Sequence, residues 1–271
     1  MHFFLRIFSH LFFCDLVVFM RFTLKLLILF LPFLMFGCND KPSKKHTELV
    51  MGTTADNPPF EFIENGTHKG MDIEIAKEIA KQLGDYKLQI KDMPFFALLP
   101  ALTGNKVHFV MAGFSITDER SKVMDFSIPY FTPSYALVYK TSVPIVNELA
   151  MQDKKIGVLL GTTMEGMLKK IRDKGVRIHI VTVDKNQALT KGLLNGAFDG
   201  IMMEEVQAKG FIQNVLNMHT VPLAYADFKD HDGSYAVALP KNSPLLSKIN
   251  VILEEMQESG QLDTIKKKWL G

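Results

Sequence analysis

The chain has 271 residues, 47% of them hydrophobic and 22% charged, enough for one large domain or two lobes with a core of their own. That apolar content, with only 18 Gly and 12 Pro, excludes disordered and collagen-like architecture, and a formal charge of +2 leaves no nucleic-acid footprint in the totals. Both cysteines, Cys14 and Cys38, lie near the start, so everything after them lacks a disulfide framework, a thiol nucleophile or a cysteine-ligated metal.

Residues 1–37 differ in kind from the rest of the chain. They carry Arg6, Arg21 and Lys25, one acid (Asp15) and long apolar runs, and residues 26–37 form an uncharged stretch of 12 residues behind a basic flank. That is the length of a signal-peptide hydrophobic region and short of the ~20 residues a membrane span needs. The run ends in Leu34-Met35-Phe36-Gly37-Cys38, and residues 38–46 form a polar tether. A small residue before a cysteine at this boundary resembles the lipobox of bacterial lipoproteins. The resemblance implies cleavage before Cys38, lipid on its sulfur and a membrane anchor, although Met35 replaces the usual leucine and Phe36 is bulky. An ordinary leader releasing a soluble periplasmic protein is the alternative. Met20 opens a complete signal of normal length by itself, so residues 1–19 read as a start-site artefact. Without the leader 234 residues remain, with 28 basic and 28 acidic side chains.

The body alternates strand-like and helix-like segments, the mark of an α/β fold. Strands are predicted over 49–54, 87–91, 107–112, 135–139, 156–160, 177–183, 198–202 and 235–239. Helices are predicted over 72–83, 163–173, 185–194, 204–212, 244–258 and 262–269. The helix at 72–83 is the clearest, with Ile75, Ile79 and Leu83 repeating at i+4 and Gly84 placed as a stop. The similar runs at 135–139 and 235–239 enclose about 95 residues. That layout allows a first lobe from 47–132 and 234–271, with 133–233 inserted as a second lobe.

No phosphate-binding loop, nucleophile elbow or paired-histidine zinc motif is present, so no cofactor or metal is expected. Polar groups do collect at predicted strand ends, where open α/β sheets place ligands. After the strand at 107–112 come Gly113, Phe114 and Ser115, then Thr117 as a helix cap and Arg120 with a planar fork suited to a carboxylate. After 156–160 come Gly161, Thr162 and Thr163 at a helix start, where backbone N–H groups make an anion site. Beyond 198–202 stands Glu204, a carboxylate suited to an ammonium group. Taken singly, each also fits a capped or solvated helix terminus. Together they complement a zwitterion, the charge pattern of a free amino acid.

The run Thr53-Thr54-Ala55-Asp56-Asn57-Pro58-Pro59-Phe60-Glu61-Phe62 carries a resemblance, as do Gly70-Met71-Asp72-Ile73-Glu74-Ile75 and Leu98-Leu99-Pro100-Ala101-Leu102. So do the stretch from Ala112 to Arg120, Val123-Met124-Asp125-Phe126-Ser127, Gly161-Thr162-Thr163 and Lys266-Lys267-Lys268-Trp269. From about residue 47 to the end the chain resembles the polar amino-acid-binding proteins of bacterial ABC importers. This implies a type II periplasmic-binding fold, with two lobes, two hinge crossovers and a ligand cleft between the lobes. The hinge would fall at Tyr130–Ser134 and Asp232–Tyr235. Arg120, with Ser115, Thr162 and Thr163, would hold the ligand carboxylate; Gly113, Ser115 and Glu204 would take the ammonium group. Phe95, Phe114, Asn57, Thr54 and Glu61 would face the ligand side chain. Thr54 stands where relatives often carry an aspartate, Asn57 where they carry an aromatic stacking partner, and Glu204 where the usual residue is aspartate. The resemblance implies a monomeric receptor, with an ABC permease as partner and arginine or glutamine among the permitted ligands. The competing reading is a dehydratase-type enzyme on the same fold, with Glu204 as acid/base.

Overall fold

The computed structural model describes residues 47–84, 86–213, 215–223 and 233–271. The predicted leader, the tether with Cys38, and Asp232 lie outside the described residues.

Two five-stranded sheets organise these residues. The first runs β5 (Tyr86–Asp92), β1 (Thr47–Thr53), β6 (Phe109–Val110), β13 (Ala238–Pro240), β7 (Met124–Phe126). The second runs β10 (His179–Val183), β9 (Lys155–Leu159), β11 (Gly200–Glu204), β8 (Tyr135–Lys140), β12 (Met218–Leu223). Each has three parallel strands followed by an antiparallel pair. A small antiparallel sheet of β2 (Asp56–Asn57), β3 (Glu61–Glu64) and β4 (Thr67–Lys69) sits beside the first.

The central strands read as unbroken apolar runs because helices cover both of their faces: β11 is buried at all its positions. Over the first sheet lie α1 (Met71–Gln82), α2 (Phe95–Thr103), α7 (Leu246–Glu258) and α8 (Gln261–Leu270), and the short α3 (Asp118–Ser121) packs on β7. Over the second lie α4 (Thr163–Asp173), α5 (Asn186–Asn195) and α6 (Glu205–Gln213). Ile73, Ile75, Ile79 and Ala80 of α1 pack with Phe60, Leu253, Met256 and Ile265. A second apolar cluster includes residues of both halves, Leu98, Val110 and Phe114 with the first sheet and Val138, Leu159 and Met203 with the second. Before α1 the chain turns at Gly70 with φ +119°, where a Cβ would stand 2.1 Å from the Phe60 carbonyl oxygen, so only glycine fits. The terminal helix α8 is fastened to α1, since Trp269 Nε1 donates to Glu74 at 2.7 Å and its ring meets Phe62 edge-on.

Two chain segments run side by side between the sheets. Tyr130 N–H donates to Tyr235 O at 2.9 Å, Tyr235 N–H donates to Phe131 O at 2.7 Å, and the Thr132 and Ser234 hydroxyls meet at 2.9 Å. Ser134 Oγ donates to Glu205 at 2.7 Å.

Helix α4 spans the predicted residues, and α1 differs by one residue at each end. Other bounds shift. The strand expected over 107–112 contracts to Phe109–Val110, and that over 177–183 begins at His179. The strand expected over 235–239 is Ala238–Pro240, with Tyr235 making only isolated bridges. Glu204 is corrected from the first residue of a helix to the last residue of β11, because it stays in register with Tyr135 while the next N–H, of Glu205, bonds to Ser134 O. The small sheet, α2, β7 and β12 have no predicted counterpart.

Candidate functional site

Between the two sheets lies a narrow cleft, with a cavity volume of only about 10 Å³. Gly113, Ser115 and Arg120 line it from the side of the first sheet, and Thr162, Thr163 and Glu204 from the side of the second. Thr54, Asn57 and Phe95 complete the wall, with Leu159, Met164 and Asn186 facing them. The cleft thus gathers residues predicted separately from three strand ends.

Arg120 is placed by α3. Thr117 caps this turn by accepting the Arg120 N–H at 3.2 Å. The guanidinium lies 4.0 Å over the ring of Phe114. Its Nη1 donates to Ser115 O at 2.7 Å and its Nη2 to Gly161 O at 3.1 Å across the cleft. A guanidinium has five N–H donors, so these bonds fix the fork and leave donors for a carboxylate. Burial pulls the Arg120 pKa down to about 10, so the group stays charged at neutral pH. Thr162 caps α4 by accepting the Glu165 N–H at 3.4 Å, and Thr163 Oγ1 lies 3.3 Å from the Tyr135 hydroxyl. The start of α4, from Thr162 to Met164, lines the cleft, and the first N–H groups of a helix lack intrahelical partners.

The opposite charge comes from Glu204, buried at the end of β11 and held by a 2.7 Å hydrogen bond from the Tyr235 hydroxyl. Burial raises its pKa, and the tyrosine hydrogen bond opposes the rise. Gly113 adopts φ +55° with Tyr235 packed against it, where a Cβ would lie 3.0 Å from the ring. Its N–H donates to Asp72 Oδ2 at 2.8 Å, and the Tyr130 hydroxyl donates to the same oxygen at 2.9 Å. Asp72 thereby ties this wall of the cleft to the crossing segments. It was legible only as part of a motif.

At the far end, Thr54 Oγ1 and Asn57 Nδ2 both donate to Glu61 Oε1, at 3.0 and 2.7 Å. Glu61 is fully buried behind them and does not line the cleft. Phe114 does not line it either and serves as the platform under Arg120. Burial, then the nearby Asp72 carboxylate, pushes Glu61 well above the usual carboxyl range, while burial pushes Asp72 up to about 6. Both carboxyls are thus driven toward their neutral forms, Glu61 the further of the two. Gln207 Nε2 donates to Asn57 Oδ1 across the cleft, a partnership with no signal in the sequence. Among the described residues no group of three His, Cys, Asp or Glu side chains is arranged to hold a metal ion, and no helix is long and apolar enough to cross a membrane.

The chain is similar to known proteins along nearly all of this body. It is 34% identical over 224 residues to the arginine-binding extracellular protein ArtP of Bacillus subtilis, covering 82% of this chain and 86% of that one. It is 32% identical over 220 residues to the putative ABC transporter arginine-binding protein 2 of Escherichia coli, covering 80% and 88%. An ancestral arginine-binding protein solved with arginine bound superposes with a TM-score of 0.76 at 36% identity, covering 84% of this chain and all of that one. The chain has the α/β type II periplasmic-binding architecture of its structural neighbours. Residues 49–271 match the bacterial extracellular solute-binding proteins, family 3, and the chain belongs to that family.

Proposed function

We propose that this chain is the extracytoplasmic receptor of an ABC amino-acid importer, binding a free L-amino acid by lobe closure and delivering it to the permease. The observation that carries this reading is the meeting of Arg120 and Glu204, from opposite lobes, in one cleft. Arg120 and the N–H groups of Ser115 and Thr163, with Thr162 beside them, take the ligand carboxylate. Glu204, with Gly113 and the Ser115 hydroxyl, takes the ammonium group. A ligand touching both lobes favours the closed state by the contacts that only that state offers. Residues 47–132 with 234–271 form one lobe and 133–233 the other, pivoting at Tyr130, Ser134 and Tyr235. The chain acts as a monomer and a binder, with no catalytic step assigned to it.

Thr54 and Asn57 face the ligand side chain. Arginine and glutamine are the ligands tested first. A thermal-shift screen of the twenty amino acids tests the receptor reading. Ligand at about 100-fold its Kd adds ~2.7 kcal/mol, a rise of roughly 5–10 °C for a body of this size. No rise with any amino acid would sink the reading. The receptor is held at the membrane by lipid on Cys38; an unmodified Cys38 in the mass spectrum of the mature protein returns it to the soluble periplasmic form.

A further inference from the structure

Helix α5 begins without a cap of its own. Its N-cap residue, Lys185, is extended (φ −140°, ψ 142°) and provides no side-chain acceptor. The acceptor comes instead from the other lobe, 130 residues away. Asp56 Oδ2 accepts the Asn186 N–H at 2.9 Å, Oδ1 accepts Asn186 Nδ2 at 3.4 Å, and the carboxylate also takes the Gln187 N–H. A carboxylate at a helix N-terminus satisfies donors that the helix leaves unpaired and meets the positive end of its dipole. The next residue, Asn57, accepts the Gln207 amide from α6, so both residues of β2 reach the second lobe. Asp56 does not line the ligand cleft; it lies on the groove outside it.

We infer that Asp56 is an inter-lobe latch, a helix cap supplied in trans that forms as the lobes close and holds the closed state without touching the ligand. This rests on the receptor reading for its purpose. In the open state the α5 N-terminus and the Asp56 carboxylate both return to water, so the contact weights closed against open. Arg120 also crosses the cleft, to Gly161, but it belongs to the ligand site. Asp56 is a positioning residue whose removal acts on how long the ligand stays rather than on how it is recognised.

The test uses the full chain with Cys14 and Cys38 replaced by serine. Dyes are attached at Lys77→Cys on α1 and Arg172→Cys on α4, both exposed positions. In the ligand-free protein, Asp56→Ala should change the energy transfer from that of the parent toward the open arrangement. With L-arginine as the probe, stopped-flow release should be about 5-fold faster, the factor that loss of one helix cap gives, at an unchanged association rate. Asp56→Asn, which keeps the acceptor and loses the charge, should fall between. Ligand-free energy transfer in Asp56→Ala equal to the parent's overturns the latch, whatever the affinity. A parent that binds neither L-arginine nor any other amino acid overturns the receptor reading instead, and the ligand-free comparison still decides the latch.

Discussion

Replacing Arg120 with alanine is expected to abolish the amino-acid-induced rise in melting temperature while the ligand-free protein still folds. The side chain is half-buried, sits on the Phe114 ring and is fixed by two backbone carbonyls, so little ordering remains when a carboxylate arrives. Truncating one member of a buried, hydrogen-bonded charge pair costs ~2–5 kcal/mol, because the other charge is left unpaired. Titration calorimetry should therefore record a Kd raised about 30-fold to more than 10³-fold. Arg120→Lys should rescue only part of the loss, since an ammonium keeps the charge but not the fork. An Arg120→Ala chain that responds to amino acids like the parent would remove Arg120 from the site.

Glu204→Gln should separate binding from stability in the opposite way. Burial opposes ionisation of the parent's Glu204 carboxyl, and the Tyr235 hydrogen bond offsets part of that. Glutamine keeps the shape and can still accept the Tyr235 hydroxyl. The ligand-free melting temperature should therefore hold or rise. Binding should weaken by about 10- to 100-fold, as ~1.5–3 kcal/mol of charge-assisted hydrogen bonding to the ligand ammonium is lost. A parallel fall of both would mark Glu204 as structural. The same variant addresses the enzyme alternative: if the parent turns over an aromatic-amino-acid precursor and Glu204→Gln does not, the residue is an acid/base and the receptor reading is incomplete.

Much of the fold was legible where periodicity is strong. α4 and α1 have an apolar stripe and clear ends, Thr162 before one and Gly84 after the other. The β2–β4 sheet was missed because its strands are two to four residues long, too short for alternation to register. α2, Phe95–Thr103, is apolar nearly throughout and contains Pro100, so it shows no polar face and carries a nominal breaker. β12 contains Pro222 and survives because it is an edge strand. In the site, the motifs carried Arg120, Thr162, Thr163 and Glu204. Partnerships such as Asp56 with Asn186 or Asn57 with Gln207 join residues 130 and 150 apart, and no local pattern encodes them. Two expected ligand contacts, Glu61 and Phe114, stand one layer behind the cleft, because a residue type shows chemistry but not depth.

The position of β13 has a consequence for how the molecule is made. It lies between β6 and β7, and α7 and α8 cover the same sheet. The first sheet thus draws on both ends of the body, whereas all five strands of the second sheet lie between residues 135 and 223. A chain emerging N-terminus first, from a ribosome or a secretion channel, completes the second sheet while the first still lacks its fourth strand. Until residues 238–270 arrive, β6 and β7 have no partner between them. The sheet that begins first is therefore the one that finishes last, with the facing edges of β6 and β7 open until β13 fills the gap.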